Sequence, residues 1–303
     1  MPPRDETTPA EVGDGLFPPP PPPPRHALRA REEGSRSASN PSNPEEANAS
    51  TPLPPFASAN GGEGSGVGGS SAAESLAAAW ASAMPQAIVH AALQEFAGRI
   101  ALVSSFGADA AVLLHMVAQV DSSTPVVFVD TLRLFPETLR YRDTLVARLG
   151  LTDVRIVRPD AQQIMRFDPD LSLAETDPDA CCAFRKVAPF EQAIAPFAAW
   201  LNGRRRDQGA SRAAIATAEW DGARLKINPL AAWTAADAAA YRRAHDLPEH
   251  PLAAQGYPSI GCVPCTSPVD AGEDGRAGRW RGSEKTECGL HMRRAGATAS
   301  TDS

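Results

Sequence analysis

Over residues 75–157 short apolar runs alternate with longer amphipathic stretches, a pattern that predicts an α/β fold. Residues 75–80 and 85–96 place apolar side chains at helical spacing and read as two short helices. Residues 100–103 (Ile-Ala-Leu-Val) form a buried-type strand that runs into the polar turn Ser104-Ser105-Phe106-Gly107, and helical composition resumes over 109–117. Residues 126–129 (Val-Val-Phe-Val) are a second such strand and end at Asp130-Thr131. A helix is expected over 136–149, with Pro136 in its first turn and Gly150 as its stop. Residues 154–157 supply a third strand. This order implies a parallel sheet with helices on both faces and ligands beyond the carboxyl ends of the strands.

Composition changes the picture mainly at the ends. Residues 1–71 are rich in Pro, Gly, Ser, Ala, Asn and Glu, with a proline run at 18–24 that favours polyproline II. Their few large apolar side chains cannot offset the entropy of ordering the backbone, so a disordered N-terminal tail is expected. Asp5, Glu6, Glu11 and Asp14 are unlike an acid-poor transit peptide, and no apolar run is long enough for a signal core or a bilayer span. A soluble, cytoplasmic protein without membrane partners is expected, with one domain over 72–291 and a flexible tail over 292–303. The formal net charge of -7 and sequence pI of about 5.4 argue against a broad nucleic-acid surface. Basic residues cluster locally instead, which suits a small anion.

The candidate chemistry lies in the turns and the cysteines. Ser104-Ser105-Phe106-Gly107-Ala108-Asp109 combines hydroxyls, a glycine and a helix start, a setting that favours an anion and would equally serve as a plain N-cap. Four cysteines form two pairs, Cys181/Cys182 and Cys262/Cys265. Thiolates are soft ligands, and four of them select zinc or an iron–sulfur cluster. A zinc knuckle usually has two C-x-x-C pairs, whereas adjacent cysteines point apart in extended chain and suit a cluster, which has several irons to share out. Cys288, in Glu287-Cys288-Gly289-Leu290-His291, has no such partner and is a candidate nucleophile, its thiolate expected to be stabilised by His291 and nearby arginines.

These segments, together with Leu134-Phe135-Pro136-Glu137-Thr138, Cys181-Cys182-Ala183-Phe184-Arg185-Lys186-Val187, the run 203–208, Asn228-Pro229-Leu230 and the run 256–265, resemble the adenylyl-sulfate and phosphoadenylyl-sulfate reductases. That family belongs to the adenine-nucleotide α-hydrolase, or PP-loop, superfamily. The resemblance covers nearly all of residues 98–291. It implies a PP-loop-type parallel sheet and a modified phosphate loop at Ser104, Ser105, Gly107 and Asp109, with adenosine near Asp130 and Thr131. Lys186, Arg205, Arg206, Arg212, Arg276, Arg279 and His291 are expected around the phosphosulfate, while Arg204 is expected at the surface. It further implies a [4Fe–4S] cluster on Cys181, Cys182, Cys262 and Cys265, and attack on adenylyl sulfate by Cys288. Sulfite would be released by thioredoxin or glutaredoxin acting in trans, as part of sulfate assimilation and cysteine biosynthesis. A homo-oligomer is left open.

Two departures stand out. Relatives have Asp-Thr-Gly where this chain has Asp130-Thr131-Leu132, so a shifted backbone is expected if the glycine serves a positive φ. Ala110 replaces the second serine of the ATP-using loop. Three rivals remain in view: phosphoadenylyl-sulfate reductase, a PP-loop tRNA-thiolating enzyme, and a non-catalytic nucleotide-binding module with structural zinc. The four cysteines favour adenylyl sulfate over the first, because relatives restricted to the 3′-phosphorylated substrate typically lack them. The acidic balance and the Glu-Cys-Gly-Leu-His run speak against the second.

Overall fold

The computed structural model describes residues 66–291 of the 303-residue chain; the proline run and the 292–303 tail lie outside the described residues. Two helices open the fold, α1 (Gly66–Ala79) and α2 (Pro85–Glu95). The sequence β1 (Ile100–Val103), α3 (Ala110–Asp121), β2 (Val126–Val129), α4 (Pro136–Leu149), β3 (Val154–Val157) follows. Next come α5 (Ala161–Phe167), α6 (Leu173–Thr176), α7 (Pro178–Cys182), a π-helical turn at Ala183–Val187 and α8 (Ala188–Ile194). The chain then forms β4 (Ala199–Leu201), β5 (Ala218–Trp220), β6 (Leu225–Ile227) and α9 (Ala235–Ala244).

The strands make one sheet in the order β3-β2-β1-β4-β6-β5, parallel except for the antiparallel β5–β6 pair at one edge. Side chains alternate across it, as a period of two requires. Leu102, Val126, Phe128, Leu201 and Ile227 pack on one face under Ile88, Leu114 and Leu145 of α2, α3 and α4. Ala101, Val127, Val129 and Trp200 pack on the other under Phe190 and Ile194 of α8. Both faces of the central strands are therefore dry, which is why β2 reads as an unbroken apolar run.

The three expected strands and the 136–149 helix form with the expected bounds, and Gly150 closes α4 in the left-handed region at φ 62°. Helix α1 begins at Gly66, nine residues before the expected 75, so residues 66–71 are helical rather than tail. A tertiary contact overrides their poor helix propensity: a Cβ on Gly69 would meet the Trp220 ring at 2.5 Å, so the β5 tryptophan lies directly on the helix backbone. Among the described residues no helix is long and apolar enough to cross a membrane.

The candidate active site

The strand order reverses at β1, whose neighbours β2 and β4 lead to opposite halves of the sheet. A cleft of about 640 Å³ opens there, beyond the carboxyl ends of β1 and β4. Ser104, Ser105, Gly107 and Asp109 line it, as the loop pattern implied. The Ser104 hydroxyl accepts the Phe106 N–H at 3.1 Å, and Phe106 is held at φ 48° with its ring edge-on to Phe128 in the core. A bulky residue in the left-handed region is strained, and here a buried anchor holds it so that the loop turns toward the cleft. The Asp109 carboxylate accepts from Arg205 Nη1 at 2.6 Å and from Arg242 Nη1 at 2.7 Å.

The arginines divide into groups that adjacency in sequence did not reveal. Arg205 is buried and spans Asp109 and Asp207. Arg204, expected at the surface, is buried and lines the cleft, ion-paired with Glu219 and donating to Asn202 and Asn228. Its strand-end position turns it inward beside the β5–β6 edge. Arg206 goes the other way: it is exposed, donates to the Ile215 carbonyl at 2.9 Å and does not line the cleft. Arg212, Arg276 and Arg279 do line it. Arg212 and Arg276 converge on Glu287, and Arg279 lies over the Trp280 ring at 4.4 Å while donating to the Cys265 carbonyl.

Asp130 and Thr131 are not at the cleft. Asp130 accepts from the Leu132 N–H and from Arg158, and Thr131 borders the neighbouring cysteine cavity, its hydroxyl 3.1 Å from Cys262 Sγ. Leu132 needs no shifted backbone: it adopts φ 61° itself, with its side chain half exposed.

All four paired cysteines line one small cavity, on segments that meet only in the fold. Cys181 and Cys182 end helix α7 and so diverge by roughly 100° about a helix axis, not as in extended chain. Among the described residues no three His, Cys, Asp or Glu side chains converge tightly enough for a single metal ion; the thiols border a common space instead. Burial pushes the Cys181 thiol up to about 11, with Cys262 and Cys265 adding to the effect. Four thiols around one small cavity, with no carboxylate or imidazole among its lining residues, fit a soft, multi-iron group whose charge would replace the protons.

The π-helical turn after Cys182 aims two basic residues. Arg185 is buried, with its Nη2 2.6 Å from Asp168 Oδ2 and its Nη1 donating to the Thr131 carbonyl. Lys186 lines both the cysteine cavity and the cleft. Burial works against its ammonium, but Cys288, Cys262 and Cys182 outweigh that and raise its pKa. A π turn, one residue wider than an α turn, is a recurrent device at functional sites.

Cys288 closes the cleft beside Cys182. The Cys288 pKa is lowered well below the ordinary value, first by the neighbouring Cys182 thiol for as long as that thiol keeps its proton; burial opposes this, while Lys186 and Arg279 add to it whether or not Cys182 is protonated. His291 does not contribute the expected positive charge. It is stacked on Trp200 at 6.1 Å, and burial followed by the charges of Lys226 and Arg204 drives its pKa well down, so it is neutral. Sequence reasoning missed Arg242, Glu287 and Lys226. Lys226 offered a signal, a charge inside the three-residue strand Leu-Lys-Ile: it is buried 5.1 Å from the Trp200 ring centroid, with its pKa pushed down to about 7 by burial and then by Arg204.

A doubly wound α/β sheet with an arginine-lined cleft at its switch point, abutting a thiol-lined cavity, defines the class. Residues 99–268 match the phosphoadenosine phosphosulfate reductase domain, and the chain belongs to that family. It is 54% identical over 205 residues to the adenosine 5'-phosphosulfate reductase of Mesorhizobium japonicum, covering 68% of this chain and 81% of that one. It is 43% identical over 225 residues to the phosphoadenosine 5'-phosphosulfate reductase of Gloeobacter violaceus, covering 72% and 92%. The crystal structure of phosphoadenylyl-sulfate reductase from Candida auris, a phosphate complex, superposes with a TM-score of 0.56 at 26% identity, over 64% of this chain and 95% of that one.

Proposed function

We propose that the protein is an adenylyl-sulfate reductase of sulfate assimilation, acting in the cytoplasm and making sulfite and AMP through an S-sulfonate on Cys288. The observation that carries this reading is the seat of Cys288, which lines the arginine-lined cleft and packs in one cluster with Cys181 and Cys265, while Lys186 borders both the cleft and the four-thiol cavity. The relatives named adenosine 5'-phosphosulfate reductase support the substrate.

The loop at Ser105 and Gly107 and the start of α3 face the nucleotide's phosphate, and Arg279 and Lys186 face its sulfate. The Cys288 thiolate attacks sulfur, the bond from sulfur to the phosphate oxygen breaks, and AMP leaves with that electron pair. Basic side chains lining the cleft, held by their own hydrogen bonds, offset the charge moving onto the phosphate. A thiolate of thioredoxin or glutaredoxin then attacks Cys288 Sγ and sulfite departs with the electron pair of the S–S bond. The reductant's second thiol resolves the mixed disulfide, so two electrons pass from the dithiol to the sulfonate sulfur. Cys181, Cys182, Cys262 and Cys265 would hold a [4Fe–4S] cluster, which supplies a fixed charge beside the sulfate when bound.

The test separates the nucleophile from the ligands. Cys288→Ser should retain the cluster's visible absorbance and bind adenylyl sulfate, yet make no sulfite, because a hydroxyl is almost wholly protonated at neutral pH. Wild type given adenylyl sulfate without reductant should gain one sulfonate on Cys288 and release one AMP per active site. Sulfonation of another cysteine would refute the reading. Serine at any of the four paired cysteines should abolish iron binding, and wild-type iron content in those variants would remove the cluster assignment. Assay of the 3′-phosphorylated nucleotide alongside tests the rival substrate.

A further inference from the structure

Glu287 stands beside the nucleophile, and its carboxylate is held on every side. Arg212 Nε donates to Oε2 at 2.7 Å and Arg212 Nη2 to Oε1 at 3.0 Å, a bidentate pair. Arg276 Nη2 reaches Oε1 at 3.3 Å and the Thr286 carbonyl at 3.2 Å. The Cys288 N–H donates to the same Oε1 at 3.0 Å. The third edge of the Arg212 guanidinium, Nη1, is engaged by Gln208 Oε1 at 2.5 Å. Arg212 borders the cleft but is buried, and each of its three nitrogens already has a partner in this protein, so its geometry is that of a receptor for the cysteine segment. Upstream in the same segment, Lys285 pairs with Asp179, which lies in helix α7 just before the Cys181–Cys182 pair.

We infer that Glu287 and Arg212 form a latch that seats Cys288 in the cleft, making both of them positioning residues and removing Arg212 from the set that holds the substrate. The inference rests on Cys288 being the nucleophile. The backbone N–H next to the reactive sulfur is tied through one carboxylate to a buried guanidinium on another segment, so the sulfur's position is set before any ligand arrives. Pre-orientation of this kind acts on the rate of attack, because a small displacement of a reacting atom costs far more in rate than in affinity.

The test uses the full-length, cluster-loaded enzyme. In Glu287→Gln and in Arg212→Gln, single-turnover sulfonation of Cys288 should slow by roughly 10- to 100-fold. Alkylation of Cys288 by iodoacetamide, followed by mass spectrometry, should speed up several-fold as the segment undocks. Binding of adenylyl sulfate, measured with Arg212→Gln placed in the Cys288→Ser background, should stay close to that of Cys288→Ser alone. Glu287→Asp, which keeps the charge on a shorter stem, should lie between wild type and Gln on both rate readouts. The visible absorbance of the cluster reports that each variant is folded and loaded; where Arg212→Gln does not load, Arg212→Lys replaces it. Unchanged alkylation, equal values for the Asp and Gln variants, or a tenfold loss of adenylyl-sulfate affinity with Arg212 changed would each overturn the latch. Wild type sulfonated at Cys288 serves as control: if that fails the functional reading falls, and if it holds while the variants match wild type only the latch falls.

Discussion

Leu132 follows Asp130 and Thr131 in the left-handed region at φ 61°, its N–H held by Asp130 Oδ1 at 3.0 Å and its side chain half exposed. An L-residue there is strained by about 1–2 kcal/mol, partly offset on replacement by glycine's larger unfolded-state entropy. Leu132→Gly should therefore leave stability unchanged or raise it by up to about 1 kcal/mol in urea unfolding; a clear loss would mean that the side chain packs in solution. His250 makes a pH prediction. It is buried, its Nδ1 accepts the Leu252 N–H at 3.1 Å, and its Nε2 therefore carries the proton toward Thr138 Oγ1 at 3.1 Å. Burial drives its pKa down to about 4, against a weaker upward pull from Glu137. Below pH 6.5 the unfolded chain takes up this proton first, so stability falls as pH drops from 6.5 to 4, by about 1.4 kcal/mol per unit at most. His250→Gln should flatten that window, and an unaltered slope would assign the acid sensitivity elsewhere.

Elements matter here chiefly where they depart from regularity. Helix α7 ends on the two cysteines and passes without a break into the π turn, which sends Arg185 to Asp168 and Lys186 to the cleft. The chain between the C-x-x-C pair and Cys288 is shaped by the bridge of Thr266 with Arg279, with the Ser267 N–H on the Gly278 carbonyl at 2.8 Å. A Cβ at Gly278 would overlap the Ser267 carbonyl oxygen, a backbone atom that cannot swing aside. Gly278→Ala should cost about 1–3 kcal/mol of stability and displace Arg279 and Trp280, which follow it. Thermal unfolding, with the intrinsic fluorescence of the tryptophans as a second probe, checks both parts.

The whole molecule has two kinds of interior. The sheet core is apolar and complete on both faces, whereas the cysteine region packs Ala174, Cys181, Cys265, Trp280 and Cys288 from four separated stretches of chain. If iron joins two of those stretches, through Cys181/Cys182 and Cys262/Cys265, its removal takes away a cross-link from that region and leaves the sheet intact. Chelation of the purified enzyme should lower the thermal midpoint and expose the Cys288 segment to protease, with far-ultraviolet dichroism little changed. An identical midpoint with and without iron would mean that the thiols hold this region without it.

Residues 100–157 displayed their architecture locally: apolar runs bounded by polar turns, a proline-led helix and a glycine stop act over a few neighbours, and the strands appeared where the pattern put them. The cysteine pairs and the Ser/Gly loop could be singled out as candidates for the same reason, since ligand and anion chemistry depend on residue type, and the fold brings the four cysteines to one cavity and the loop to the cleft. Strands β4, β5 and β6, three residues each, are too short to show a period and exist through pairing in the sheet. The outward turn of Arg206 and the burial of Arg204 were equally hidden, because adjacent side chains in an irregular loop take directions set by distant partners. The neutrality of His291 arises from burial among cations that converge only in the fold. The sequence by itself determined which chemistry the chain can perform; the tertiary structure decided which charges face the cleft, because burial and charge pairing are properties of the packed chain and not of any stretch of it.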